Sequence, residues 1–399
     1  MKQRIHIAFL NFPHTPHVNP TLPIVSTLIR RGYRVSYTTS DKFLSAVSEL
    51  GAEVLRCQTF PNYQTLVSDY YLQGRDASFE LAAQSLVSLT PFYEKNRPNL
   101  IVYDFLFYAG RILAERWNIP AIQTSPGLAF DREKVSRPAA RSDFSQILFD
   151  LKENRDRFLE SYGISRTPFM FHREKLNIYF YPRCFQLEGD AFDESCFYAG
   201  RSAGERCYRR TWEPKSSDDR PLILVSTSTF YLQGPEYFRM CIDALSDLRV
   251  HVVLAIGDNN HPTLLDASPS EFEVLQGIPQ IQILPHADLF ISLGGMISSV
   301  EAVYHGVPQL MITHGYPEAE AYAENMVRLG LGIHLKDFET DSSHIRSAVQ
   351  KMLEDGALQE RVNKMRGIVR REPGAEETAN RIEEYLECHF GSKRRTALT

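Results

Sequence analysis

Residues 5–39, IHIAFLNFPHTPHVNPTLPIVSTLIRRGYRVSYTT, contain two predicted strands on either side of one stretch with helical periodicity. The run at 5–10 is compact and apolar, as in a strand that is buried on both faces, and residues 34–39 form the next strand. Between them, the apolar residues of 21–29 recur every three or four positions, and Gly32 provides a helix stop. A strand, a helix and a strand in this order predict a parallel sheet covered by helices.

The same alternation recurs along the chain. Further strands are predicted at residues 100–105, 121–124, 222–226, 251–256 and 289–292. A connector with two prolines and five charged residues, 212–221, interrupts the pattern and reads as a linker. The predicted division is an N-terminal domain at 1–211, the linker at 212–221, a C-terminal domain at 222–380, and a helix end with a basic tail at 381–399. Ligands of open α/β sheets bind at the carboxyl ends of the strands, so two such domains are expected to face a central ligand-binding cleft.

The composition excludes several classes of protein. The 399 residues are 43% hydrophobic and 23% charged, which fits a globular enzyme. A formal net charge of −5 disfavours nucleic-acid binding, and no apolar run approaches the ~18 residues of a membrane span. The N-terminus lacks the pattern of a signal peptide. Six scattered cysteines without a C-x-x-C pair predict a reduced, cytoplasmic protein with no metal site.

Four segments together resemble a known family. They are His17-Val18-Asn19-Pro20 and the segments 99–105, 277–284 and 289–301. The likeness, from about residue 5 to residue 388, is to the bacterial macrolide and flavonoid glycosyltransferases, which are UDP-sugar-dependent enzymes of the GT-B fold. This resemblance implies two Rossmann-like domains, with an apolar acceptor in the first and the nucleotide sugar in the second. It also implies an inverting transfer, in which an aspartate orients a histidine base that follows the first strand.

The catalytic positions depart from the family motif. When the motif is counted back from His17, the base position falls on Thr15, which cannot act as a base near pH 7. His14, one residue earlier, is the alternative base, whereas His17 is interpreted as part of the segment that caps the following helix. Asp104 occupies the orienting position at the end of its strand and is expected to point into the cleft.

The predicted nucleotide site is also altered. Leu293 replaces a histidine and Ile297 an asparagine, and both family residues contact the diphosphate. Each lost donor to an anionic group costs about 1.5–3 kcal/mol, so UDP-sugar affinity is expected to fall by several powers of ten. Ser228 replaces a glycine, and Ala319 replaces the glutamine of the sugar-binding pair. The residues that still match the nucleotide site are Gln280, Gly294, Gly295, Ser298, Glu301 and Thr229.

The acceptor is expected to be an apolar small molecule. Aromatic residues Phe105, Phe107 and Tyr108 are candidates for the wall of its pocket, and His314 and Glu318 are candidates for substrate contacts near the altered donor motif. The sequence identifies neither this molecule nor the oligomeric state, so a homodimer or a partner enzyme is left open.

Three functions follow from these matches and departures. The preferred hypothesis is an enzyme of natural-product biosynthesis repurposed for non-glycosylating acid–base chemistry: cyclisation, isomerisation, elimination or hydrolysis. The second is a genuine glycosyltransferase that uses a UDP-sugar or another NDP-sugar. The third is a non-catalytic partner protein. A UDP-sugar is expected as a co-substrate only in the second.

Overall fold

The computed structural model describes most of the chain in two compact units. Unit 1 comprises residues 1–206 and 373–399, and unit 2 comprises residues 207–372. The residues described are 4–57, 78–129, 153–164, 172–187, 189–201, 212–214, 219–226, 233–257, 260–265, 271–276, 280–314, 316–336 and 340–396.

Within the described residues, unit 1 contains a parallel sheet of seven strands in the order β3-β2-β1-β4-β5-β6-β7. The strands are β1 (His6–Leu10), β2 (Arg34–Thr39), β3 (Glu53–Arg56), β4 (Leu100–Asp104), β5 (Ala121–Ser125), β6 (Asn177–Tyr179) and β7 (Cys196–Tyr198). Its helices begin with α1 (Thr15–Val18), α2 (Leu22–Arg30), α3 (Leu44–Glu49), α4 (Ser78–Lys95) and α5 (Tyr108–Trp117). The central strands β1, β4 and β5 are buried along their whole length, as expected for parallel strands that are covered on both faces.

Unit 2 has a second parallel sheet, of six strands in the described residues, in the order β10-β9-β8-β11-β12-β13. The strands are β8 (Leu222–Ser226), β9 (His251–Ala255), β10 (Phe272–Leu275), β11 (Leu289–Ser292), β12 (Gln309–Ile312) and β13 (Gly332–Leu335). The helices are α6 (Pro235–Leu245), α7 (Gln280–Ile283), α8 (Met296–His305), α9 (Pro317–Arg328), α10 (Ser342–Glu354) and α11 (Gly356–Val369). This strand order, 3-2-1-4-5-6 within the unit, is that of a Rossmann sheet.

The last helix, α12 (Gly374–Thr396), packs against unit 1. Arg31 on α2 forms ion pairs with Glu376 and Glu383 of α12, and the Tyr385 hydroxyl donates a hydrogen bond to the Ala121 carbonyl at 2.9 Å. The structure therefore divides the chain differently from the sequence-based boundary, which kept residues up to 380 in the C-terminal domain. The amphipathic sequence of α12 shows that one face is buried but not which unit buries it.

In both sheets, the loops that contain candidate site residues follow the carboxyl-terminal ends of strands. In unit 1 these loops follow β1 and β4, and in unit 2 they follow β11 and β12. Among the described residues, no helix is both long and apolar enough to cross a bilayer. Likewise, the described histidines, cysteines and carboxylates form no group of three or more that could hold a metal ion.

Candidate functional site

The loop after β1 contains a single helical turn that the sequence did not reveal. His14 is extended and precedes α1, and its carbonyl accepts hydrogen bonds from the amides of His17, at 3.0 Å, and Val18, at 2.9 Å. Pro16 lies in the first turn of α1, where its missing N–H leaves no hydrogen bond unmade. Because of this turn, the His17 side chain lies next to the last residue of β4, and it is 6% exposed.

His17 is paired with the aspartate that ends β4. The distance from His17 Nδ1 to Asp104 Oδ2 is 2.7 Å, and Asp104 is fully buried. The other carboxylate oxygen, Oδ1, accepts a hydrogen bond from the Leu106 amide at 2.9 Å. A carboxylate only accepts, so His17 Nδ1 is the donor and the basic lone pair of the ring lies on Nε2. This is the arrangement of a histidine base with an orienting carboxylate.

Aromatic rings fix the plane of the His17 imidazole. Phe105 stacks on it with a centroid distance of 5.9 Å and an interplanar angle of 19°, and Phe12 packs against it at 5.2 Å. The His14 ring lies 6.0 Å away. Because Phe105 is half-buried, it has both a packed face and a surface that a ligand can reach.

The structure pairs Asp104 with a different residue from those that the sequence offered as the base. Thr15 begins α1 and is half-buried, and His14 is 3% exposed, but the residue that bonds to Asp104 is His17. The helical turn is the physical reason, because it places a residue two positions after Thr15 opposite the carboxylate. Counting back from His17 to the expected base position treated this segment as an extended loop. The histidine of the matching segment His17-Val18-Asn19-Pro20 was therefore overlooked as a partner of Asp104.

The three aromatic residues predicted to line the acceptor pocket differ in how much of their surface a ligand can reach. Phe107 is fully buried and belongs to the core, which contradicts the expectation that it lines a pocket. Tyr108 is 7% exposed and packs against Phe79 and Phe158 at 5.3 and 6.4 Å. Phe105 is the member of the predicted set that has accessible ring surface beside His17.

In unit 2, helix α8 begins directly behind the glycine turn that follows β11. Gly294 has a φ of +81° and donates its amide hydrogen bond to Ser292 Oγ at 3.1 Å. Gly295 is the N-cap, no side chain caps the helix, and the first hydrogen bond of the helix runs from the Ser299 amide to the Gly295 carbonyl. The amides before Ser299, including that of the half-buried Ser298, therefore point out of the helix toward positions where an anion can bind.

The two apolar replacements differ in accessibility. Leu293 is 4% exposed, so its side chain is packed in the unit and presents little surface to a ligand. Ile297 is half-buried on the first turn of α8. Of the two, only Ile297 has substantial surface at the amide-rich end of the helix.

Gln280 and Glu301, which the sequence assigned to the nucleotide, are hydrogen-bonded to each other. Gln280 Nε2 donates to Glu301 Oε2 at 2.9 Å, and Glu301 is 3% exposed. The bond joins the short helix α7 to the middle of α8. Glu301 is thereby oriented on the same helix that carries Ser298, and Gln280 is held beside it.

The loop after β12 contains the remaining predicted residues. His314 has a left-handed φ of +53°, and its ring meets the Tyr237 ring edge-on at 5.2 Å. Glu318 is exposed in the first turn of α9 and accepts a hydrogen bond from the Tyr322 hydroxyl. Their carboxylate and imidazole groups are polar enough to contact a sugar. Thr229 and Ser228 lie outside the described residues.

Comparisons with known proteins show which proteins this chain resembles along nearly its whole length. Residues 239–385 match the family model "Erythromycin biosynthesis protein CIII-like, C-terminal domain". The chain is 34% identical to the NDP-glycosyltransferase YjiC of Bacillus subtilis (strain 168), covering 96% of this chain and 98% of that protein. It is 29% identical to the demethyllactenocin mycarosyltransferase of Streptomyces fradiae, covering 96% and 86%. Among solved structures, the calicheamicin glycosyltransferase CalG4 aligns with a TM-score of 0.77 at 32% identity, covering 96% of this chain and 98% of CalG4.

Proposed function

The chain belongs to the NDP-sugar glycosyltransferases of the GT-B fold, and we propose that it is an active member, which transfers a sugar from a nucleoside diphosphate sugar to a hydroxyl of an apolar small molecule. The single observation that carries this proposal is the His17–Asp104 pair, with a 2.7 Å bond and a fully buried carboxylate. In this proposal His17 is the base. The sequence had suggested that the base was missing, and this had favoured a non-glycosylating enzyme.

In the proposed reaction, His17 Nε2 takes the proton of the acceptor hydroxyl. The hydroxyl oxygen forms a bond to the anomeric carbon of the sugar, and the bond from that carbon to the diphosphate oxygen breaks. The electron pair leaves with the nucleoside diphosphate, and the configuration of the anomeric carbon inverts. Asp104 stabilises the imidazolium formed at His17 and holds its Nδ1–H. General base catalysis of this kind contributes about 10²–10⁴ in rate.

We assign the acceptor to unit 1 because Phe105 provides a flat apolar surface beside the base. An aromatic ring stacked on the imidazole favours an apolar acceptor whose hydroxyl projects toward Nε2. Names of relatives such as the oleandomycin glycosyltransferase of Streptomyces antibioticus point to macrolide acceptors for those proteins. A macrolide or polyketide-like acceptor for this chain is therefore part of the proposal.

We assign the diphosphate to the amino end of α8. The uncapped amides and the helix dipole favour an anion at Gly295, and the turn at Gly294 allows close approach of the backbone. We assign the nucleoside to the Gln280–Glu301 pair, whose side chains are hydrogen-bonded to each other. Ile297 removes one polar donor from this end of the helix, so nucleotide sugar affinity is expected to be low while the chemistry of transfer is retained.

The test combines substrate panels with a matched pair of variants. The protein is incubated with UDP-glucose or dTDP-glucose and with a macrolide aglycone or a polyphenol, and products are identified by mass spectrometry. Transfer that is lost in His17→Ala and retained in His14→Ala supports the proposal, because both are buried histidines of the same loop.

Two results would reject the proposal. Retention of transfer by His17→Ala, with loss in His14→Ala, would return the base to the residue chosen from the sequence. Absence of any transfer, together with a UDP dissociation constant above about 1 mM by calorimetry, would favour the repurposed chemistry instead.

A further inference from the structure

A fully buried polar network lies directly beneath the catalytic loop of unit 1. It joins Asn11, the residue after β1, to Thr21, the N-cap of α2, and to Tyr37 of β2. All three residues are 0% exposed. Tyr37 Oη is 2.6 Å from Asn11 Nδ2 and 2.7 Å from Thr21 Oγ1, so the three side chains meet at one point.

The hydrogens of this network have one consistent direction. Thr21 Oγ1 donates its only hydrogen to the Val18 carbonyl at 2.8 Å, so it must accept from the Tyr37 hydroxyl. Tyr37 therefore accepts from the Asn11 amide. Burial raises the pKa of the Tyr37 phenol well above its usual value, so this donor stays protonated.

The network ends on the backbone of the catalytic histidine. One hydrogen of Asn11 Nδ2 goes to Tyr37, and the other is shared between Thr21 Oγ1, at 3.0 Å, and the carbonyl of His17, at 3.3 Å. Thr21 holds the next carbonyl, that of Val18. The amide of Asn11 is assigned this orientation because its carbonyl oxygen would otherwise face the His17 carbonyl. His17 is thus held at two points, its ring by Asp104 and its main chain by Asn11.

We infer that Asn11, Thr21 and Tyr37 are positioning residues, which set the location of His17 Nε2 relative to the acceptor hydroxyl. This inference rests on the proposed function. The Asp104 bond fixes the orientation of the ring, but it leaves the ring free to shift with its backbone. Two adjacent carbonyls held by a buried network remove that freedom, and a displacement of about 1 Å costs on the order of a hundredfold in rate.

The experiment compares variants that differ by one hydroxyl. Thr21→Val has the shape of threonine without its hydroxyl, and Thr21→Ser keeps the hydroxyl. We expect Thr21→Val and Tyr37→Phe to lower kcat about tenfold, with the KM for the nucleotide sugar unchanged and Thr21→Ser close to wild type. The matched control is Tyr93→Phe. Tyr93 is an equally buried tyrosine of unit 1, but its hydroxyl bonds to Ser36 instead of the catalytic loop.

A second comparison separates positioning from ordinary stabilisation. Introduced into His17→Ala, the Thr21→Val change should leave the residual rate unaltered, because it acts through a base that is no longer present. All rates are measured well below the Tm of each variant.

Each outcome decides one of the two proposals. An unchanged kcat in both Thr21→Val and Tyr37→Phe overturns the inference, as does an equal loss in the His17→Ala background or in Tyr93→Phe. If the unaltered protein transfers no sugar, the proposed function fails. If His17→Ala transfers sugar at the wild-type rate, the assignment of His17 as the base fails before the network is tested.

Discussion

Replacing Asp104 by asparagine exchanges one carboxylate oxygen for an amide NH2 and tests the assigned mechanism directly. The Leu106 amide can still donate to the side-chain oxygen that now receives it at 2.9 Å, so the local fold has a reason to persist. The 2.7 Å bond from His17 Nδ1–H to a charged oxygen is lost. If the new amide group faces His17, Nδ1 must become the acceptor and the proton moves to Nε2, the atom that has to be the base.

The expected magnitude follows from that change of tautomer. The charge-assisted hydrogen bond is worth about 1.5–3 kcal/mol, and the loss of general base catalysis accounts for about 10²–10⁴ in rate. At about 1.36 kcal/mol per tenfold, this is a loss of roughly 2.7–5.4 kcal/mol of transition-state stabilisation. We therefore expect kcat of Asp104→Asn to fall at least a hundredfold. The KM for the nucleotide sugar should stay within about threefold, because the lost interaction forms as the proton moves.

The assay measures initial rates of sugar transfer at saturating donor, with the acceptor found active in the panel. Calorimetry with UDP serves as the control for an intact second unit, and thermal unfolding serves as the control for the first. A kcat within about threefold of wild type, in a folded variant, would refute the assignment of His17 as a base that depends on Asp104.

Three further predictions concern other parts of the chain. Gly294→Ala should lower the free energy of unfolding by about 1–2 kcal/mol in denaturant titration, because φ is +81° and the new Cβ would lie 3.4 Å from Ala323 and Met311. Gly295→Val should lower the Tm only slightly, because the space above Gly295 is open among the described residues although valine is a poorer N-cap than glycine. It should weaken UDP binding at least tenfold by calorimetry, because a side chain there covers the amides of α8. Asp341 caps α10, and hydrogen bonds from Ser343 and the His344 amide lower its pKa to about 2. Its stabilisation is present above its unfolded pKa of about 4 and is lost as the pH falls, so the Tm difference between wild type and Asp341→Ala should shrink from pH 5 towards about pH 3.

The elements that position the site could largely be predicted from the sequence. Strands β2, β8 and β11 have the predicted bounds. Strands β8 and β11 are short apolar runs that end in a serine, and β2 is rich in the β-branched and aromatic residues that favour strands. Strands β6 and β7 were missed because three residues are too few to show a periodicity. Residues 11–20 were expected to be a loop because of their prolines, but Pro16 is tolerated in the first turn of a helix.

The sequence predicted which strands and helices carry the candidate site residues, but not which side chains are hydrogen-bonded to each other. Asp104 was recognised because it ends a buried strand, and Gln280 and Glu301 because they match family positions. The partner of Asp104 is 87 positions away in sequence, and whether it is residue 14, 15 or 17 depends on the rotation of one helical turn. No periodicity fixes the phase of a four-residue helix. His17 was therefore interpreted from the sequence as part of a helix cap, although in the structure it is the partner of Asp104.

In the proposed reaction, the base of unit 1 and the weakened donor site of unit 2 act on different bonds, so they should be separable in kinetics. His17 and Asp104 act where the acceptor O–H bond breaks, and their interaction strengthens only as charge moves onto the imidazole. The amino end of α8 acts on the diphosphate, which is already charged in the bound substrate. A donor missing at Ile297 therefore weakens both the ground state and the transition state, and this appears mainly as a raised KM for the nucleotide sugar. Restoring a donor with Ile297→Asn should lower that KM about tenfold, at about 1.4 kcal/mol per tenfold, while kcat changes little. A large rise in kcat with an unchanged KM would show instead that this position controls the departure of the leaving group.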